Sequence, residues 1–436
     1  MKIAIFSDFH LGFGARTERR EEAFNNAKQA VELAKEIKPD LILHAGDLFD
    51  STIPSSESLY EAIELCHLLK EGKSKVKILK ENKPIPFEGI PVIAISGTHE
   101  YRGKDYKNAL QLLEKAGCLI YLHASTAVIE KEGEKIAVHG LSGIPERKAL
   151  DVLKLWNPSP LKEAKNILLF HQSIKEFLPS DDPMNVTISL EDLPKEFDYF
   201  IDGHLHWFNE TELEKGALLI PGSTIITQMK KLESEKEKGI ILLDTSSNKT
   251  EFIPLKNQRK LFYEKLSFEN SSLEEVREKA RAKIEEFMKE NKQELIPLIR
   301  LKLVGTLSKG VNPSDLELTE LIKGFEGKAI FSIEKDFSMI SFKKKIKELR
   351  ELQKSKQSIT LLGINLLEKN LEATSFNKAF DVKHVFDLLA ENETEKAMEL
   401  LSEPKKGEKE TENNENTAFE KISSIKKEEP KLSDYI

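Results

Sequence analysis

Five stretches of the chain share one pattern: a short apolar run that ends at a polar residue able to hold a metal. Residues 2–7 lead into Asp8-Phe9-His10, and Leu41-Ile42-Leu43-His44 leads into Gly46-Asp47. Pro91–Ile95 leads into Gly97-Thr98-His99-Glu100, Ile167–Phe170 into His171-Gln172-Ser173, and Tyr199–Ile201 into Asp202-Gly203-His204-Leu205-His206. Runs of four to six apolar residues bounded by glycine predict buried strands. The segments between them carry helical spacing. Ala23, Ala27, Ala30, Val31 and Ala34 recur at steps of three and four between Arg20 and Ile37, and Pro39-Asp40 closes that helix. A second helix is predicted over Glu57–Leu69, with Leu59, Ala62, Ile63, Cys66 and Leu69 on one face, and a third over Tyr106–Ala116. Residues 72–87 read as a charged insertion. A strand near Leu119–Leu122 and a hairpin across Glu132-Gly133 follow. Residues 179–194 read as a long polar loop, and Leu218–Ile220 and Gly239–Leu243 as two more strands. Strands alternating with helices, with polar residues at strand ends, predict an α/β layered sheet whose site lies at one edge.

The pattern restarts after about residue 255. Between Phe262 and Ile333 it runs strand, helix, strand, helix, strand. Ser272-Leu273-Glu274-Glu275 is a capping-box signature ahead of a helix with Val276, Ala280, Ile284 and Phe287 on one face. Asn312-Pro313-Ser314 opens the second helix and Gly324 to Gly327 closes it. Beyond this the apolar spacing thins. The expected organisation is residues 1–255 as one domain, 256–340 as a small α/β domain, and 341–364 as a linker carrying Lys343-Lys344-Lys345, Lys347 and Arg350. Residues 365–403 form short amphipathic helices with too few apolar residues to fold alone, and 404–436 a disordered Lys/Glu/Asn-rich tail.

Composition narrows the class. The 436 residues are 39% hydrophobic and 32% charged, more than one core can use, so several domains are expected. No apolar run is long enough to span a bilayer, and the first residues lack a signal-peptide pattern. Two cysteines, Cys66 and Cys118, make neither a disulfide framework nor a metal pair. A cytoplasmic location is therefore expected. The net charge of −8 argues against general polyanion binding, so a nucleic acid would need local basic patches or metal ions.

The strand-end residues are Asp8, His10, Asp47, Thr98, His99, His171, His204 and His206. His204 and His206, two apart on an extended segment, point the same way. Carboxylate oxygen mixed with imidazole nitrogen favours Mn, Fe or Zn over Mg or Ca. The set is too large for one ion. Two ions about 3.5–4 Å apart, bridged by a carboxylate, suit the splitting of phosphate esters.

With these residues in place the chain resembles a known family. Asp8-x-His10, Gly46-Asp47, Gly97-x-His99-Glu100, His171 and Gly203-His204-x-His206 resemble the calcineurin-type metallophosphoesterase signature. The flanks Ser7-Asp8-Phe9-His10-Leu11-Gly12, Ala45-Gly46-Asp47-Leu48-Phe49-Asp50 and Phe170-His171-Gln172 are similar to the meiotic-recombination-eleven (SbcD-type) nucleases. The motifs cover about residues 1–255, and the rest agrees only in layout. The resemblance implies a layered β-sandwich core flanked by helices, a small α/β capping domain that binds DNA, and a C-terminal helical motif for an SbcC-type coiled-coil ABC ATPase. It implies two Mn²⁺ ions per subunit. One would be held by Asp8, His10, Asp47 and His206, the other by Asp47, His171, His204 and the residue at 98, with Asp47 as the bridge. His99, set beside Glu100, would be the general acid or position the phosphate.

The implied activity is that of a nucleoid-associated, homodimeric DNA nuclease in double-strand-break repair. It would act as a 3′-to-5′ exonuclease on duplex ends and an endonuclease on single strands, with dimerisation through the helices near 57–69 and 106–116. The sequence departs from the family at Thr98, where the pattern has asparagine. A hydroxyl is a poorer neutral donor than an amide carbonyl, so a looser second metal site is expected. Two other readings stay open at this point: a catalytically weak subunit that tethers DNA ends, and a phosphodiesterase for small substrates.

Overall fold

The computed structural model describes residues 1–102, 106–178 and 187–337, together with His384, Val385 and Met398. The basic linker, the tail, and all but those three residues of the helices expected over 365–403 lie outside the described residues, as do residues 179–186 of the polar loop.

In chain order the first unit comprises β1 (Lys2–Phe6), α1 (Glu22–Ile37), β2 (Leu41–His44), α2 (Ser56–Lys70), β3 (Lys77–Lys80), β4 (Lys83–Ile85), β5 (Val92–Ala94), α3 (Ala109–Lys115) and β6 (Ile120–Tyr121). It continues with β7 (Ser125–Lys131), β8 (Glu134–Leu141), α4 (Glu146–Trp156), β9 (Lys165–Phe170), β10 (Tyr199–Asp202), β11 (Asn209–Glu212), β12 (Ala217–Ile220), α5 (Lys231–Glu235), β13 (Gly239–Asp244) and β14 (Lys249–Pro254). These strands make two sheets, of order β14-β13-β1-β2-β5-β6 and β11-β12-β10-β9-β8-β7-β3-β4.

Alternation along each strand builds the layers. Ile3, Ile5, Leu41, Leu43 and Ile93 of the first sheet meet Ile136, Val138, Ile167, Leu169 and Ile201 of the second, and together they form the sandwich core. Their neighbours Ala4, Phe6 and Ile42 turn outward onto α1–α3, and Leu168, Phe170, Phe200 and Leu218 turn outward onto α4. A strand covered on both faces carries no polar side, which is why these segments read as continuous apolar runs. The α1 face is buried as its spacing predicts, at Ala23, Ala27, Ala30, Val31 and Ala34.

Three local expectations are corrected. Residues 72–87 contain an edge hairpin, β3–β4, paired to β7. Its outward lysines hide the strand signal, and such charges are common where an edge must resist further pairing. In α2 the buried apolar residues are Ala62, Leu65 and Leu69, whereas Ile63 faces solvent. The helix opened by Asn312-Pro313 is a 3₁₀ turn at Pro313–Asp315 followed by the short helix given below.

The second unit is β15 (Leu261–Ser271), α6 (Leu273–Glu290), β16 (Leu298–Leu307), α7 (Thr319–Lys323) and β17 (Ile330–Phe337), a parallel three-stranded sheet. The Ser272 side chain accepts from Glu275 N, and Val276, Ala280, Ile284 and Phe287 pack on the sheet as a core of their own. The units meet where Ile226 is buried with Leu261 and Leu298. Beside this contact Arg259 Nε bonds Glu22 Oε2 at 2.9 Å.

One buried group makes stability depend on pH. His44 ends β2 with its ring edge-on to Phe9 at 4.7 Å, and neither ring nitrogen has a described partner. Burial, with a smaller push from His171, lowers it to about 3. An unfolded histidine near 6.5 takes up a proton that the folded one refuses. The stability from the neutral ring is therefore complete above about pH 6.5 and is lost as pH falls from there towards 3. By pH 5 the loss is about 2 kcal/mol. His44→Leu should lose less melting temperature than the unaltered chain between pH 7 and pH 5. Equal losses in thermal unfolding would contradict this.

Candidate metal centre

The parallel strands β1, β2 and β5 point their C-terminal ends the same way, as do β9 and β10, and the ligand-type residues lie in the loops just beyond. Those loops continue the pairing of their strands. Asp8 N donates to Gly46 O at 3.0 Å, His10 N to Asp47 O at 3.0 Å, and Gly203 N to Phe170 O at 3.1 Å. To aim their side chains inward, Asp8, His10, Asp47 and His204 adopt positive φ, at 53°, 49°, 51° and 69°. Non-glycine residues held in this region carry strain, and such strain concentrates at functional sites. Two glycines are required by close approach. A Cβ on Gly97 would stand 2.1 Å from Asp47 Oδ1, and one on Gly203 would stand 2.1 Å from Ala45 O.

The fold gathers the strand-end residues into adjoining clusters. Asp8, His10 and His206 form one, Asp47, His171 and His204 a second, and His10, Asp50 and His99 a third. Three imidazoles are tied at one nitrogen, and a fourth, His204, only approaches a carboxylate. His10 Nδ1 lies 3.1 Å from Asp50 Oδ1, His171 Nδ1 2.7 Å from Ala45 O, His206 Nδ1 2.5 Å from Thr227 Oγ1, and His204 Nε2 3.6 Å from Glu146 Oε1. The opposite nitrogens of the first three face the centre. His171 Nε2 is 3.2 Å from Asp47 Oδ2, and His206 Nε2 is 3.7 Å from Asp8 Oδ1. His10 Nε2 and His206 Nε2 stand 3.2 Å apart. Two imidazole nitrogens aimed at each other over a carboxylate need a proton or a cation between them. A histidine anchored at its far nitrogen is the usual form of a metal ligand. The residues present fit divalent metal ions.

The electrostatics agree with that fit. Burial above all raises Asp8 to about 6, and the Asp47 charge adds to it. Burial is also the largest influence on Asp47, but His171 and His10 outweigh it and hold the carboxyl below its usual range. Burial lowers His204 to about 3 and holds His206 well below its ordinary value, so both are neutral donors at neutral pH. His171 is the exception. Burial pushes it down, yet Asp47 and Asp8 prevail and raise it to about 10.

Residues 1–208 match the calcineurin-like phosphoesterase family. The matched stretch contains every residue of the clusters described above. The chain is also similar to archaeal proteins that include three called DNA double-strand break repair protein Mre11. That of Sulfurisphaera tokodaii is 30% identical over 252 residues, 57% of this chain and 60% of the relative. That of Methanocaldococcus jannaschii is 30% identical over 57% of this chain and 63% of the relative. That of Sulfolobus acidocaldarius is 25% identical over 410 residues, 92% of this chain and 98% of the relative. No helix among the described residues is long and apolar enough to cross a membrane.

Two residues differ in setting from the sequence reading. Glu100 does not accompany His99. It is buried on the far side of the loop and accepts from Phe49 N and Gly97 N, each at 2.8 Å, and burial followed by the Asp47 charge raises it to about 8. His99 stands at the surface with its side chain 44% exposed. Its neighbour is Asp50, whose backbone oxygen lies 2.9 Å from His99 Nδ1. Thr98, which precedes His99, is half-buried and makes no side-chain hydrogen bond among the described residues. Sequence reasoning missed Asp50, Glu146 and Thr227 as partners of the histidines. Asp50 had a signal, three positions after Asp47 in a polar loop, whereas Glu146 and Thr227 had none.

Proposed function

We propose that the chain is a manganese-dependent DNA nuclease that processes ends in double-strand-break repair. The observation that carries the reading is the joined pair of carboxylate–histidine clusters on a phosphoesterase fold. The name of the archaeal relatives, one of them aligned over 92% of this chain, supports DNA as the substrate. In this reading Asp8, His10, Asp47 and His206 hold one ion, and Asp47, His171, His204 and Thr98 the other. Bound there, the ions supply Lewis acidity and an acidified water for phosphodiester hydrolysis.

The chain's own groups do the rest. Asp47 Oδ1 accepts from His99 N at 2.9 Å, which fixes the loop that presents His99. With Nδ1–H donated to the Asp50 carbonyl, His99 turns Nε2 to solvent, and in the imidazolium form a leaving oxygen would take the Nε2 proton and leave the ring neutral. The second unit acts as a DNA-binding cap in this proposal, and residues 365–403 dock an SbcC-type ATPase. Tyr60 and Ile63 of α2 and Leu112 of α3 are exposed apolar side chains, and in this proposal they serve a homodimer interface. Tyr60→Glu with Ile63→Glu should give a monomer in sedimentation velocity. A dimer that survived both would remove α2 from the interface.

The test is cleavage of an end-labelled duplex by the purified chain in Mn²⁺ and in EDTA. Activity that needs the metal supports the nuclease. Thr98 favours a second reading, a catalytically weak subunit that tethers ends. Thr98→Asn decides between them. If the second ion is merely loose, the substitution should raise Mn²⁺ affinity at one site by about tenfold, within the range for altered metal-site partners. Cleavage at sub-saturating metal should rise with it. A chain inactive with either residue would favour tethering.

A further inference from the structure

The loop after β12, residues 221–230, touches a metal-facing histidine at one point and the second unit at the next. Thr227 Oγ1 lies 2.5 Å from His206 Nδ1. The preceding residue, Ile226, is buried against Leu261 of β15 and Leu298 of β16, with Met229 and Ile330 beside it. The loop is fastened all along its length. Asn26 Nδ2 donates to Thr224 O at 2.8 Å, and Arg19 donates to Ile226 O at 2.6 Å from a buried position. Ser223 Oγ donates to Ile225 O at 2.6 Å. The buried carboxylate of Glu233 accepts from Gln228 N at 3.1 Å, Thr227 N at 3.4 Å and Lys230 N at 3.3 Å. Lys238, itself buried, spans Glu233 at 3.1 Å, Ser223 Oγ at 2.9 Å and His206 O at 2.5 Å. Both the backbone and the ring of His206 therefore hang from this one loop.

Such a network fixes position more tightly than packing of His206 would need. A buried ion pair with five described contacts costs desolvation unless every group is satisfied. Here the satisfied groups are those that hold residues 223–228 still. The only side chain from this loop seated in the second unit's interface core, apart from the half-buried Met229, is that of Ile226. A shift of β15 and β16 against the phosphoesterase would act first on Ile226, and then on the adjacent hydroxyl that orients the His206 ring.

We propose that residues 221–230 are a strap that couples the position of the second unit to the first metal site, with Thr227 as the positioning residue for His206. The inference rests on the reading of His206 as a metal ligand. When His206 Nδ1–H donates to Thr227 Oγ1, the lone pair of Nε2 faces Asp8 and His10. Without the hydroxyl the ring loses its fixed tautomer and its angle. Outer partners of metal-bound histidines commonly contribute 10–100-fold in metal affinity.

The test is Mn²⁺ titration of the full chain by isothermal calorimetry, with folding followed by circular dichroism. The unaltered chain should bind two ions. Thr227→Val should weaken one of them by about 10–100-fold and leave the other unchanged, while Thr227→Ser restores the first. Ile226→Ala should also weaken that ion, and the double variant Ile226→Ala/Thr227→Val should bind no worse than Thr227→Val alone, since coupled sites are not additive. Two-ion binding that is unaltered in Thr227→Val overturns the strap while leaving the metal reading intact. An Ile226→Ala effect that is absent, or that adds fully to Thr227→Val, overturns the coupling to the second unit. Failure of the unaltered chain to bind Mn²⁺ overturns the metal reading, and the strap with it.

Discussion

Asp47→Ala should abolish Mn²⁺-dependent cleavage of an end-labelled DNA duplex, lowering the rate by at least about 10³-fold, or about 4 kcal/mol of barrier. The Asp47 carboxylate joins two separate parts of the site. Its Oδ2 is 3.2 Å from His171 Nε2 and its Oδ1 accepts from His99 N at 2.9 Å. Its backbone oxygen receives His10 N at 3.0 Å. Loss of the carboxylate removes the proposed bridge between the ions. It also strands His171, a fully buried ring held protonated to about 10 chiefly against burial by Asp47. Asp47→Asn tests charge apart from shape, because the amide can still accept from His99 N but no longer brings the negative charge that stabilises the His171 imidazolium. Both variants should lose activity and at least one Mn²⁺ in calorimetry, with native circular dichroism. Cleavage that persists in a folded Asp47→Ala chain would mean that the activity lies elsewhere or in a contaminant.

The parts of this molecule legible in the sequence are those where one physical signal dominates. Strands covered on both faces leave apolar runs, and a loop that must turn sharply under a ligand leaves a glycine beside it, as at Gly97 and Gly203. The alanine face of α1 and the capped helix α6 are equally plain, since each is decided by spacing within one segment. What stayed hidden depends on distant partners. β11 and β4 are short, polar edge strands whose pairing comes from β12 and β3 rather than from their own residues. Glu100 follows His99 directly, yet the turn closed by Tyr101 N on Thr98 O sends one side chain into the core and the other to solvent. Asp50, Glu146 and Thr227 reach their histidines from 40, 58 and 21 residues away, and no local pattern encodes that reach. The ligand types themselves were legible because metal chemistry restricts them to a few residues. The groups that orient those ligands are drawn from any element that happens to pass nearby.

His99→Gln should lower the cleavage rate by 10²–10⁴-fold, the usual range for a lost general acid, while leaving both Mn²⁺ affinities unchanged. The separation of the two effects follows from where the ring sits. His99 is the exposed histidine of the group, with its side chain 44% accessible, whereas His10, His171 and His206 are buried. It packs edge-on to His10 at 4.9 Å, so it lies over the metal centre rather than within it. Its Nδ1–H is donated to the Asp50 carbonyl, which leaves Nε2 at the mouth of the site, where the imidazolium form carries the proton to be given. Glutamine keeps a hydrogen-bonding head of similar reach and spares the backbone bond to Asp47, but it has no proton to give at neutral pH. A substrate carrying a better leaving group than a sugar hydroxyl, such as a nitrophenyl phosphodiester, needs little protonation and should lose much less rate in the variant. Equal loss on both substrates would make His99 a phosphate-positioning group. A parallel loss of Mn²⁺ would make it a ligand, against its place in the fold.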